Sequence, residues 1–367
     1  MAKKTHGLSG EYIIHPGETL KELLEERGMS QRELAARADV TETHISNVVN
    51  CQKDISVSFA KKLEYALAVE AGFWINLQAN YDKELADFHE LSNISSKEFD
   101  VLKNLKEIIG YMKRINIINT HASSSQLIIE LRKLLHVSRL TKIPHISQAG
   151  AYRLAETAQT DPYILFTWLR LCDLVTEKRS NHKPLDIQKL KQCIPSIKHV
   201  MCEPADKIRP QLKEILAECG IHFLLMRHVR GAPVQGVIKK EHDGSLSLIM
   251  TNRKKSADMF WFTLFHEIGH IINDDIADKL IDFDSADNET EKKADAFAEN
   301  TLIAPELYKQ FTAKGDFSLD QINRFCKEID IPSYMLIGRL QRDRYLEYRQ
   351  YSTEKITYEF EDLEVFS

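Results

Sequence analysis

The sequence predicts a mainly α-helical protein with a small β-sheet, and three observations predict it. Apolar residues recur at three- and four-residue spacing through most of the chain, the pattern of helices with one buried face. Strand-like runs cluster in one stretch, IHFLLMRHV, VQGVIKKE and LSLIMTN. The length, 367 residues, leads us to expect two or three domains at roughly 100–200 residues each. Hydrophobic residues at 43% and charged residues at 28% fit an ordinary globular chain. With 14 Gly and 10 Pro, collagenous and low-complexity classes are excluded. A net charge of −5 excludes a generally basic protein that coats nucleic acid, while leaving room for a local basic face.

The first region, 1–87, predicts five short helices. Pro16 opens the first, Leu20, Leu23 and Leu24 share its face, and Gly28 closes it. Ser30 caps the second, with Glu33 three residues on completing a capping box. Asp39 and Val40 make a turn, and Thr41 caps a third helix bearing Ile45, Val48 and Val49. Ser56 to Ala68 and Ala71 to Tyr81 predict the fourth and fifth. The second and third have the grammar of a helix-turn-helix, with Ala35, Val40, Ile45 and Val48 setting the angle between them. Glu42, Thr43, His44, Ser46 and Asn47 then lie on the exposed N-terminal half of the third helix, behind the cap Thr41, where side chains read base edges in the major groove. Gln31, Asn50 and Lys53 are placed for phosphate contacts. Arg32, Arg37, Lys61 and Lys62 add local positive charge. From Met1 to Glu84 ten Lys and Arg face thirteen Asp and Glu, so specific binding calls for a homodimer reading two half-sites of a double-stranded operator. Asp39 stands where glycine is common in such turns, and Asp tolerates the left-handed conformation.

Residues 88–184 predict a helical connector: KEFDVLKNLKEIIGYMKRI and SQLIIELRKLL are periodic, and AYRLAETAQTDPYILFTWLRLCDLV reads as a hairpin broken near Asp161–Pro162. The polar run from Thr176 to Pro184 ends it. From 185 to 350 a helix, PQLKEILAECG, precedes the three strands, the last two joined through His242–Ser245 as a hairpin. A long apolar helix around MFWFTLFHEIGHII, a second over ETEKKADAFAENTLI, and further short helices follow. The tail, 351–367, alternates residue types as a strand or a flexible end does.

The sharpest motif is His266-Glu267-Ile268-Gly269-His270. Residues four apart on a helix share a face, so both imidazoles address one metal, and Glu267 lies in the adjacent sector as a general base. A catalytic zinc needs a third protein ligand and an open position. Glu291 on the next helix supplies that ligand, and Asp295, four residues later, orients a ligating histidine. One Zn2+ per chain is expected, and the set resembles the gluzincin arrangement. None of the six cysteines forms a CxxC pair, which predicts free thiols in a reducing cytoplasm. Neither a signal peptide nor a membrane span is visible, so a cytoplasmic protein without membrane partners is expected.

HPGETLKELLEERGMSQRELAARADVTETHISNVVN resembles the HigA-type branch of the XRE (Cro/C1-type) helix-turn-helix regulators. GAPVQGVIKKEHDGSLSLIMTN, FWFTLFHEIGH and EKKADAFAENTLIAPE resemble the ImmA/IrrE metallo-endopeptidases. The resemblance implies a bacterial regulator fused to a zincin-like α+β peptidase, with His266, His270 and Glu291 holding zinc and Glu267 as base. It also implies cleavage of a regulatory protein under stress or in mobile-element control: the chain itself, a partner regulator or a toxin. Lys293 departs from the family's Glu on that helix. The alternative is a HigA-like antitoxin or repressor whose metallopeptidase-like part senses or binds a partner without proteolysis.

Overall fold

The computed structural model describes residues 13–149, 160–177, 183–251, 253, 255–273, 279–283 and 289–359. Their chain path divides into two compact units, one of 13–99 with 123–129, the other holding the rest.

In the first unit, α1 (Pro16–Glu26), α2 (Gln31–Arg37), α3 (Glu42–Val49), α4 (Val57–Leu67) and α5 (Ala71–Ser92) enclose a core of Leu20, Leu34, Ile45, Val48, Leu63 and Trp74. The predicted caps form: Ser30 Oγ accepts from Glu33 N at 3.1 Å and Thr41 Oγ1 from His44 N at 3.2 Å. Asp39 takes the left-handed turn with φ 48°. The buried His15 caps α1, its Nδ1 accepting from Gly17 N. At Gly17 an added Cβ would stand 1.9 Å from the carbonyl oxygen of Val48, so this glycine lets α1 meet α3. The fifth helix runs to Ser92, well past the expected Tyr81. Within it, buried Gln78 accepts from Ile55 N at 2.9 Å and donates to Asp54 and to Asp82 one turn on.

Helices then continue as α6 (Ser96–Asn104), α7 (Lys106–Arg114), α8 (Ser124–Leu134), α9 (Ile143–Ala149) and α10 (Pro162–Glu177). The stretch expected as one helix divides at Leu105, where ψ turns to 5°. Of the expected hairpin, the second arm is α10; its first arm, 151–159, lies outside the described residues, as do 178–182 of the polar run and 360–367 of the tail.

In the second unit α11 (Ile187–His199) and α12 (Ala205–Glu218) lead to a sheet. The sequence did not announce α11. Pro210, expected to open α12, lies five residues inside it. Strands β1 (Ile221–Met226), β2 (Val234–Lys240), β3 (Leu246–Thr251) and β4 (Lys279–Phe283) lie in the order β1-β3-β2-β4, with β1–β3 parallel and the other pairs antiparallel. β4 is an addition to the three expected strands. Register Ile238↔Leu248 marks the predicted hairpin. Against the sheet packs α13 (Ala257–Asn273), followed by α14 (Glu289–Leu302), α15 (Pro305–Ala313), α16 (Leu319–Glu328) and α17 (Ser333–Arg342). The chain after α17 returns to this core. Tyr358 N donates to Lys255 O at 2.8 Å, and its hydroxyl accepts from Trp261 Nε1 at 3.0 Å.

Candidate functional site

The helix-turn-helix surface follows from the burial of α3. Ile45, Val48 and Val49 face the core, and Glu42, Thr43 and Asn50 are exposed beside half-buried Ser46 and Asn47. Half-buried Gln31 starts α2, and Lys53 is exposed after α3. His44 is placed differently from its neighbours. Its ring lies 4.6 Å from that of Phe59, its Nδ1 is 3.2 Å from Lys53 Nζ, and its Nε2 is shielded from solvent. Burial, then Lys53 and Lys62, lower its pKa. Asn50 Nδ2 donates to Ser46 Oγ at 3.2 Å. Of the expected basic residues, Arg37 pairs with Glu33, Lys61 with Glu64, and Lys62 with the turn at Asp39.

The metal-ligand pattern converges in the second unit. α13 presents His266 and His270 on one face, and α14 crosses it at Gly269, where an added Cβ would lie 3.1 Å from the Phe297 ring and 3.2 Å from Ala294 Cα. That approach brings Glu291 to the histidines. His266 Nε2 is 3.1 Å from Glu291 Oε2 and 3.1 Å from His270 Nε2, and His270 Nε2 is 3.5 Å from Glu291 Oε1. These form a group able to hold a metal ion. Tetrahedral zinc with bonds of about 2.0–2.1 Å separates its ligand atoms by ~3.3–3.4 Å, so the triangle has the size of one face of such a site. Asp295 Oδ1 lies 2.8 Å from His266 Nδ1. A proton on that nitrogen leaves the Nε2 lone pair turned into the triangle. Burial raises the Glu291 pKa, but hydrogen bonds and charge from the two histidines outweigh it and hold the carboxyl at about 2. Burial lowers that of His270, and Glu291 and Glu267 outweigh it and raise it.

Glu267 is fully buried. Its carboxylate rests on β2 at Gly236, where an added Cβ would stand 1.9 Å from Oε1. β2 is irregular there, its register against β4 slipping between Val234 and Gly236, a local bend of the kind that re-aims groups near sites. Sequence reasoning passed over Gly236 and the crossing glycine Gly269. A glycine inside a strand pattern, the usual mark of close approach, was the available signal for the first. It also missed a cleft of about 480 Å³ lined by Met259, Phe262, Leu302, Ile303, Met335 and Arg342. Phe262, which lines the cleft, has its ring centre 6.4 Å from that of His266. Arg342 lies over the same ring at 5.1 Å.

Comparison with known proteins places the first region. A helix-turn-helix family model matches residues 20–74, which contain α2, α3 and α4 entire. The chain belongs to the helix-turn-helix family. Virulence-associated protein I of Dichelobacter nodosus is 35% identical over 75 residues, covering 20% of this chain and 69% of that one. Virulence-associated protein A of the same organism is 39% identical over 69 residues, covering 18% and 68%. Among solved structures, an addiction module antidote protein of a HigA family from Coxiella burnetii shares 32% identity over 20% of this chain and 80% of its own, with a TM-score of 0.19. An antidote protein of a plasmid maintenance system from Nostoc punctiforme shares 27% over 22% and 97%, with a TM-score of 0.20. Membership in the helix-turn-helix family makes this chain a DNA-binding regulator of XRE type.

Proposed function

We propose that this helix-turn-helix regulator carries a zinc-dependent endopeptidase of ImmA/IrrE type in its second unit, acting on the chain itself, a partner regulator or a toxin. The observation that carries the reading is the His266–His270–Glu291 triangle with Asp295 behind it. Two imidazoles and one carboxylate suit zinc better than magnesium or calcium. When bound, zinc supplies Lewis-acid polarisation of a peptide carbonyl and lowers the pKa of bound water toward about 7. The chain's own groups do the rest. Asp295 fixes the His266 tautomer, and Gly269 sets the helix spacing that delivers Glu291. Glu267, held against Gly236 beside the histidines, is the proton acceptor and then the donor to the leaving amine. The cleft beyond Phe262 has room for an apolar substrate side chain.

On the DNA side, Gln31, Thr41, Glu42, Thr43, Ser46, Asn47, Asn50 and Lys53 contact an operator as a homodimer, with His44 supporting Lys53. The test is metal analysis joined to incubation of wild type and Glu267→Gln with candidate partners, read by mass spectrometry. Zinc at one per chain with a cleavage product missing in Glu267→Gln supports the reading. Zinc and operator binding with every partner intact in both would replace it with the sensor or antitoxin reading.

A further inference from the structure

The six cysteines are evenly unremarkable in sequence, but folding brings two together. Cys193, in the middle of α11, and Cys219, the residue capping the end of α12, place their Sγ atoms 3.8 Å apart. We propose that Cys193 and Cys219 are a modification site: they close a reversible intramolecular disulfide when the protein meets a hydroperoxide.

The backbone around the pair is already braced. Asp186 N, one residue before α11, donates to the carbonyl of Cys219 at 2.9 Å. Gly220, at φ 75°, is pressed against the Pro184 carbonyl, where a Cβ would stand 2.3 Å away. The sulfurs stand 3.8 Å apart, and a disulfide closes them to the bonded distance of about 2.0 Å. The two thiols differ as a reacting pair should. Cys193 is half-buried and reachable; Cys219 is fully buried. Lys189, one turn before Cys193, acts electrostatically on both sulfurs and is itself fixed by Glu218 at 2.7 Å. Burial, and then the contact with Cys193, push the Cys219 thiol up to about 12, which keeps it protonated until its neighbour becomes an electrophile.

The remaining thiols lack this arrangement. Cys51 and Cys202 are exposed. Cys172 faces the Met226 thioether at 3.7 Å, which forms no disulfide. Cys326 is buried, its thiol pushed up to about 12 by that burial.

The chemistry balances with one peroxide per pair. The Cys193 thiolate attacks a peroxide oxygen, the O–O bond breaks, and the departing hydroxide takes up a proton as water. Cys219 then loses its proton and attacks the sulfenic sulfur. The S–S bond forms, the S–OH bond breaks, and the second hydroxide leaves as water with that proton. Two thiols have lost two electrons and two protons. Thiol reductants reverse the bond by exchange. The result staples α11 to α12 immediately before β1 begins.

The test uses the full chain, reduced, freed of reductant and titrated with hydrogen peroxide. Free thiols are then alkylated and the protein digested with trypsin without reduction. The expected product is a cross-linked pair of tryptic peptides, QCIPSIK carrying Cys193 and EILAECGIHFLLMR carrying Cys219, which dithiothreitol separates. The melting temperature should rise by about 5 °C on oxidation, and Cys193→Ser and Cys219→Ser should each abolish that rise. The peptide mapping stands on wild-type protein even if a variant folds poorly. A Cys51→Ser/Cys202→Ser protein, without the exposed thiols, should still form the link. Cys193 oxidised to sulfinic acid while Cys219 remains alkylatable would overturn the proposal. So would linkage through Cys51 or Cys202 alone, or no loss of thiols at all.

Discussion

Gly236 leaves no room for a methyl group between β2 and the Glu267 carboxylate. Gly236→Ala must therefore move either the strand or the Glu267 side chain, and overpacking of this kind costs about 1–3 kcal/mol. If the proposed function holds, the variant should keep its three ligand atoms and its zinc content in metal analysis, lose peptidase turnover, and melt several degrees lower. Unchanged turnover would show that Glu267 has no need of this seat. A second residue carries a pH dependence. Asp343 accepts from Arg339 Nε and the Tyr308 hydroxyl, both at 2.7 Å. Burial raises its pKa, but Arg339 and Tyr308 outweigh that and lower it below its ordinary value. A depressed carboxyl stabilises the fold fully above its unfolded pKa of about 3.9. That contribution is lost as pH falls through the folded value. Melting temperature followed from pH 6 down to pH 3 should drop less steeply for Asp343→Asn than for wild type.

Thr41 and Asn47 separate two jobs of one element, α3. Thr41→Ala removes the side-chain oxygen that accepts from His44 N, which should cost about 1 kcal/mol of stability. Asn47→Ala, on the half-buried outward side, should leave melting unchanged and weaken specific operator binding by about 1–3 kcal/mol, measured by titration at fixed salt. Equal affinity in Asn47→Ala would remove that residue from the reading face. Local signals of this sort were the legible part of the sequence. Ser30, Thr41 and the left-handed Asp39 declare themselves within a turn of their partners. The His266–His270 spacing is legible for the same reason, and the step to Glu291 rested on a second pattern nearby. What the sequence hid depends on distant partners. Gln78 of α5 is buried because it binds the loop at Ile55, twenty-three positions away. β4 exists only as the neighbour of β2. His44 turns toward Phe59, fifteen positions away, which no helical wheel displays.

Each of the two units has its own buried core: Trp74, Leu63 and Ile45 fill the first, Trp261, Phe265 and Leu248 the second. Calorimetry should therefore resolve two thermal transitions, and a chelator should lower only the one belonging to the second unit. Zinc at 100 times its dissociation constant contributes about 2.7 kcal/mol to the state that binds it, enough for a shift of several degrees. A chelator that moved both transitions equally, or neither, would contradict the assignment of metal to that unit alone. The first unit's charge supports a matching expectation for DNA: with acidic residues outnumbering basic ones, binding to random sequence should be weak and strongly suppressed by salt.

The crossing at Gly269 has a consequence for descent. In a related chain that retains both histidines and Glu291, a methyl group gained at the glycine between them would meet Phe297 at 3.1 Å and Ala294 at 3.2 Å, so those neighbours must give way by a few tenths of an ångström or α14 must shift. Pattern searches that score the ligands would count such a chain as intact. The glycine, which contributes no ligand atom, is thus a letter to read beside the three ligands when asking which relatives keep α14 this close to α13.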